Sequence, residues 1–163
     1  MTKRIKPFLC LLMLVFSIVS CDKKQVFDAY HDFDAGWHKD SVVQFELPKM
    51  SPTTKHDLFV NIRDNNDYPF QNLFLIVSLE RPNREVTVDT LEYEMAFPDG
   101  KLMGEGFTDT KDNKLLYKRD MSFPLKGTYK IRIQQAIRQN GNVAGMTHLP
   151  GITSVGFRIE NQD

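Results

Sequence analysis

Cysteine is nearly absent from this chain: the 163 residues hold two, Cys10 and Cys21. A disulfide framework and a cysteine-rich metal centre are both excluded. The histidines His31, His38, His56 and His148 never fall three or four residues apart, so no pair is set up for a shared metal and no zinc site is expected. No Gly-rich phosphate loop occurs, and Ser41, Ser51, Ser78, Ser122 and Ser154 lie in no Gly-x-Ser-x-Gly setting. Nucleotide and serine-nucleophile chemistry therefore lack a signature. Charge of one sign is never concentrated: 21 Lys and Arg intersperse with 21 Asp and Glu, without the basic stripe that tracks phosphates. No nucleic-acid partner is expected. Nor does any apolar run reach the roughly 20 residues that a transmembrane helix needs. The longest, Phe8 to Val19, is followed by the shorter run Leu73 to Leu79.

What is present begins at the N-terminus. Lys3, Arg4 and Lys6 precede the apolar run from Phe8 to Val19, the order of a secretory signal. The tetrapeptide Ile18-Val19-Ser20-Cys21 then resembles the lipobox of bacterial lipoprotein signals, in which the thiol attacks a diacylglycerol donor before cleavage. Residues 1–20 are thus expected to be a removed signal peptide, and Cys21 to carry a covalent diacylglycerol and N-acyl lipid. Each buried methylene contributes about 0.8 kcal/mol, so two or three acyl chains anchor a protein stably where one holds only marginally. Loss of the signal removes three positive charges and leaves 18 Lys and Arg against 21 Asp and Glu, a net of about minus three.

Residues 21–36 are polar with scattered aromatics and read as a lipidated tether leading into an edge segment, and residues 37–163 as one β-domain. From Ser41 onward, alternation with a period of two recurs. Val43, Phe45 and Leu47 share one face, as do Leu58, Val60 and Ile62; Tyr129, Ile131 and Ile133; and Val155, Phe157 and Ile159. Turn residues punctuate these runs at Pro82-Asn83, Asp99-Gly100, Lys126-Gly127, Asn140-Gly141 and Pro150-Gly151. Short strands at near-regular spacing predict an all-β, antiparallel sandwich of about seven to nine strands, jelly-roll or immunoglobulin-like. Short helix candidates lie only at Lys111 to Lys118 and Val26 to Tyr30. Between Glu85 and Met95 the alternation changes phase, and a bulge near Asp89 or Thr90 would bring Val86, Val88, Leu91, Tyr93 and Met95 onto one face. Leu73 to Val77 is continuously apolar, which fits a central strand covered on both faces or an exposed patch that meets a partner.

Candidate chemistry is thin. Asp89, Glu92 and Glu94 cluster in one strand region, but a glycosidase pair needs carboxylates opposed across a cleft about 5 to 9.5 Å wide, and neighbours in a strand form a solvated face more readily. Asp64-Asn65-Asn66-Asp67 has oxygen ligands that suit calcium, yet Tyr68-Pro69 follows where a calcium loop needs glycine and a distant Glu, so an Asx-rich turn is the plainer reading. Trp37 either caps the end of the core or presents a ring for stacking.

The order of longer strings is more specific. Trp37-His38-Lys39-Asp40, Asn61-Ile62-Arg63, Asn65-Asn66-Asp67-Tyr68-Pro69, Asn72-Leu73-Phe74-Leu75 and Asp89-Thr90-Leu91-Glu92-Tyr93-Glu94-Met95-Ala96 resemble the GldH family of gliding motility lipoproteins from Bacteroidetes. So do Pro98-Asp99-Gly100, Gly127-Thr128-Tyr129, Gln134-Gln135-Ala136-Ile137-Arg138 and Gly151-Ile152-Thr153 with Val155-Gly156-Phe157-Arg158-Ile159-Glu160. The likeness covers essentially the whole mature chain; Lys101 departs from it, where an aromatic would be expected. The resemblance implies a non-enzymatic envelope lipoprotein of the gliding machinery, linked to type IX secretion and to other gliding lipoproteins, with no catalytic residue and no cofactor beyond its lipid. A carbohydrate-binding surface lipoprotein is the alternative reading. The expected partner surface comprises Trp37, Asn65, Asn66, Asp67, Tyr68, Phe70, Phe74 and Ile76, and no small-molecule ligand is expected. The outer membrane, facing the periplasm, is favoured over the inner, although Asp22 after the lipidated cysteine would retain a protein in the inner membrane under enterobacterial rules.

Overall fold

Alternating side chains can bury one face of a strand only if a second sheet covers it, and this chain supplies both sheets. The computed structural model describes residues 22–106, 108–137 and 146–162. Its strands are β1 (Gln25–Asp32), β2 (Trp37–His38), β3 (Val43–Glu46), β4 (His56–Asp64), β5 (Asn72–Glu80), β6 (Val86–Glu94), β7 (Lys111–Met121), β8 (Lys130–Gln135), β9 (His148–Leu149) and β10 (Ile152–Asn161). One four-stranded sheet has the order β1-β10-β4-β7, the other β3-β8-β5-β6, and β2 pairs with β9 in a short ribbon. Every pairing is antiparallel.

The eight long strands pair outermost with outermost: β1 with β10, β3 with β8, β4 with β7 and β5 with β6. This is a long hairpin rolled up into two facing sheets, the jelly-roll arrangement and not the immunoglobulin one. The tip of the hairpin is the β5–β6 turn, where Arg84 takes a positive φ of 67° and the Arg81 amide donates to the Glu85 carbonyl at 2.8 Å. Leu58, Val60, Ile62, Val155, Phe157 and Ile159 line the inner face of one sheet; Leu73, Leu75, Val77, Leu79, Ile131 and Ile133 line the other. All are fully buried, and each such side chain contributes roughly 1.5–3 kcal/mol.

Four sequence expectations are corrected. Residues 25–32 are not tether but strand β1, paired with β10. Val26, Phe27 and Ala29 pack on the core from an edge position, where half-burial replaces clean alternation. The helix candidates at Lys111 to Lys118 and Val26 to Tyr30 are both strand. No bulge interrupts β6, whose register with β5 is unbroken; Leu91, Tyr93 and Met95 turn towards the core while Val86 and Val88 stay in water. Asn140-Gly141, Cys21 and the signal segment lie outside the described residues.

Candidate functional site

The expected partner surface divides in the structure. Trp37 is 0% exposed: its indole stacks on Phe33 with ring centroids 5.6 Å apart, and its Nε1–H donates to the Ser41 carbonyl at 2.7 Å. It plugs the core at the β2–β9 ribbon and cannot present a surface. Tyr68, 5% exposed, is withdrawn likewise; its hydroxyl donates to the Asn72 carbonyl at 2.8 Å and its ring meets Phe70 edge-on. Between them, Asn65, Asn66 and Asp67 form an Asx turn in which the Asp67 amide donates to Asn65 Oδ1 at 3.0 Å and the Asn65 amide to the Gly151 carbonyl at 2.9 Å. The turn uses the Asn65 side-chain oxygen for backbone, and no group of three His, Cys, Asp or Glu among the described residues is placed to hold a metal ion.

Phe70 and Phe74 do come together. With Pro69, Gln71, Asn72 and Ile137 they line a cleft of about 300 Å³ at one end of the outer face of β3-β8-β5-β6. Phe74 is 36% exposed, and Ile76 lies two residues along on the same face, half-buried. The continuous run Leu73 to Val77 thus serves two surfaces: Leu73, Leu75 and Val77 fill the core while Phe74 and Ile76 face outward. Ile137 was not legible as part of this site, because it follows β8 and comes beside Phe74 only in the fold, where the Ala136 amide donates to the Phe74 carbonyl.

A larger hollow of about 660 Å³ lies on the opposite side, over the outer face of β1-β10-β4-β7. Many of its charged side chains pair with one another. Arg158 donates to Glu160 (2.6 Å), Asp28 (2.9 Å), Gln25 (3.2 Å) and Asp22. Lys114 reaches Glu160 at 2.6 Å, and Arg63 reaches Asp112 at 2.5 Å while lying 4.5 Å over the Tyr30 ring. Burial alone would raise the Glu160 carboxyl, but hydrogen bonds from Lys114 and Arg158 outweigh it and hold the group below its ordinary range. Tyr30 also lies over Gly156, where a Cβ would come within 2.7 Å of its ring, and it is 37% exposed.

The three clustered carboxylates separate as well. Asp89 points inward and ties the sheets together, accepting from the Tyr117 hydroxyl at 2.7 Å and Lys118 at 2.8 Å. The Lys118 hydrogen bond holds its carboxyl low against burial. Glu92 and Glu94 are exposed on the other face of β6, so no opposed pair forms.

Comparison with known proteins agrees with the sequence strings. The family model described as GldH lipoprotein matches residues 25–159. The chain is 57% identical over 160 residues to the gliding motility lipoprotein GldH of Flavobacterium johnsoniae, covering 98% of this chain and 99% of that protein. It is 51% identical over 154 residues to the GldH homolog of Christiangramia forsetii, covering 93% and 94% respectively. Among solved structures, that of the infectious bursal disease virus Gx strain superimposes with a TM-score of 0.34 at 12% identity, over 83% of this chain and 29% of the other, too loosely for a shared fold to be read from it.

Proposed function

The chain belongs to the GldH lipoprotein family, and from that premise we propose that it is an envelope lipoprotein of the gliding motility machinery that acts by protein contact and not by catalysis. Phe74 carries this reading: a large apolar ring left 36% exposed beside Phe70 and Ile137, while Trp37 and Tyr68, the other large aromatics of the expected surface, have been drawn into the core. Half-exposed aromatics at the lip of an apolar cleft are the usual anchors of a protein interface. In the opposite hollow Asp28, Asp112 and Glu160 are each committed to an ion pair, whereas a general acid or base needs an uncommitted titratable group. A glycan platform would need two or more exposed coplanar rings, and Trp37 and Tyr68 are buried while Tyr30 already carries Arg63 over its ring.

In this proposal Cys21 carries the lipid, the anchor lies in the outer membrane, and the domain faces the periplasm, where other gliding lipoproteins are its partners. The test is affinity capture of the lipidated protein from its native envelope, with and without Phe74→Asp. The wild-type chain should bring down other gliding lipoproteins and the variant should lose them while remaining folded. Equal recovery by both would remove the cleft from the interface. A wild-type preparation free of such partners that binds immobilised glycans would overturn the reading.

A further inference from the structure

A jelly roll ends in four edge strands, each a row of unpaired backbone groups on which another strand can add unless something blocks it. Three are blocked here. β3 is only four residues long. β1 breaks register between Gln25 and Phe27. β7 breaks register against β4 on both sides of Leu58, carries Lys111, Lys114 and Lys118, and is covered at its start by reciprocal hydrogen bonds between Glu105 and Asp112. β6 is the least guarded: its one inward charge, Asp89, is already paired with Lys118 and Tyr117. Its nine residues pair with β5 in unbroken register, contain neither lysine nor proline, and leave Val86 48% and Val88 60% exposed. Among the described strands only β5 pairs with it.

We propose that β6 receives β6 of a second copy of this chain, antiparallel, about a two-fold axis through Val88. An isologous contact must be self-complementary, and the side chains choose this register. With the axis at Val88, Val88 faces Val88 of the second copy and Val86 faces Thr90, so all three outward β-branched side chains meet one another, the pairing that most favours a sheet. On the inward face Asp89 meets Thr87. Moving the axis to Asp89 sets two carboxylates against each other. Moving it to Thr87 sets Glu85 against Asp89, and moving it to Thr90 sets Val86 and Val88 against Glu94 and Glu92.

A second observation supports the same geometry. A two-fold axis that makes two antiparallel strands neighbours in one sheet runs perpendicular to that sheet, so both copies keep β1-β10-β4-β7 on the same side. Arg158 holds Asp22 over the outer face of that sheet, so both N-termini leave on one side, where two lipid anchors can enter one membrane. Confinement to a membrane raises the effective concentration, which lets a contact as small as a single strand pair form.

Cysteine placement tests the register in the full, lipidated chain in its membrane under mild oxidation. Facing residues in antiparallel strands have Cα atoms about 4.5–5.5 Å apart, inside the disulfide range. Val88→Cys alone should give a disulfide-linked dimer. Val86→Cys and Thr90→Cys should not crosslink singly, since each would lie about 14 Å from its own copy, but should crosslink when the two variants are co-expressed. The proposal is overturned if Val88→Cys crosslinks no faster than Val42→Cys, an exposed valine outside β6, if Thr90→Cys alone crosslinks as fast, or if the crosslink forms only to a different protein. Val86→Lys, which charges the edge without touching the core, should abolish the Val88→Cys crosslink when both changes are in the same chain and leave the melting temperature unchanged.

Discussion

Asp64 is fully buried and held through one oxygen only, which accepts from the Asn113 amide at 2.8 Å while the other has no partner. Burial pushes its carboxyl from the ordinary 3.8 up to about 7, the Asn113 hydrogen bond opposing only in part. Between about pH 4 and pH 7 the folded chain therefore keeps a proton that the unfolded chain has released. Folding stability falls across that window as pH rises, by about 1.4 kcal/mol for each step of one in pH, and levels off above it. Asp64→Asn should remove this slope, leaving stability near pH 4 little changed and raising it at pH 8 by a few kcal/mol, as denaturant titrations at the two pH values would show. The carboxylate string at Asp64 to Asp67 was legible in the sequence, but its meaning was not. Whether a carboxylate faces water or the core depends on Asn113, 49 positions away, which comes opposite Ile62 only when β7 pairs with β4.

At the scale of elements, alternation read strands well wherever inward positions were all apolar. It failed at β7, where the inward Asn113 is polar and masks the period, and at β1, an edge strand in which Val26 to Ala29 are all half-buried and the remaining residues exposed. It also misjudged β6. Exposed valines on an edge strand look like core residues out of phase, and a bulge was the expected remedy. The Asn65 to Tyr68 turn is set by contact from across the fold, since Gly151 has φ 78° and a Cβ there would overlap the Tyr68 amide nitrogen. Gly151→Ala is expected to push that turn away and to cost more than about 1 kcal/mol, through both the positive φ and the clash. A lowered melting temperature together with shifted amide resonances at Asn65 to Tyr68 would verify it.

The whole molecule presents its two outer faces to different surroundings. One carries the charged hollow and holds Asp22, next in sequence to the expected lipid-bearing Cys21; the other carries the Phe70–Phe74 cleft. Cys21→Ser should leave the thermal unfolding of the domain unchanged and move the protein from the membrane to the soluble fraction. Membrane retention of that variant in cell fractionation would place the anchor elsewhere. The sequence by itself determined the two-residue period, hence which side chains share a face, and its collinear strings determined the family, because both are properties of neighbours along the chain. Only the tertiary structure decided that Trp37 is covered while Phe74 is not, that the sandwich is a jelly roll, and that β6 is the least guarded edge. Exposure and strand partners depend on what the rolled hairpin brings against each residue, as when β1 meets β10 from the other end of the chain.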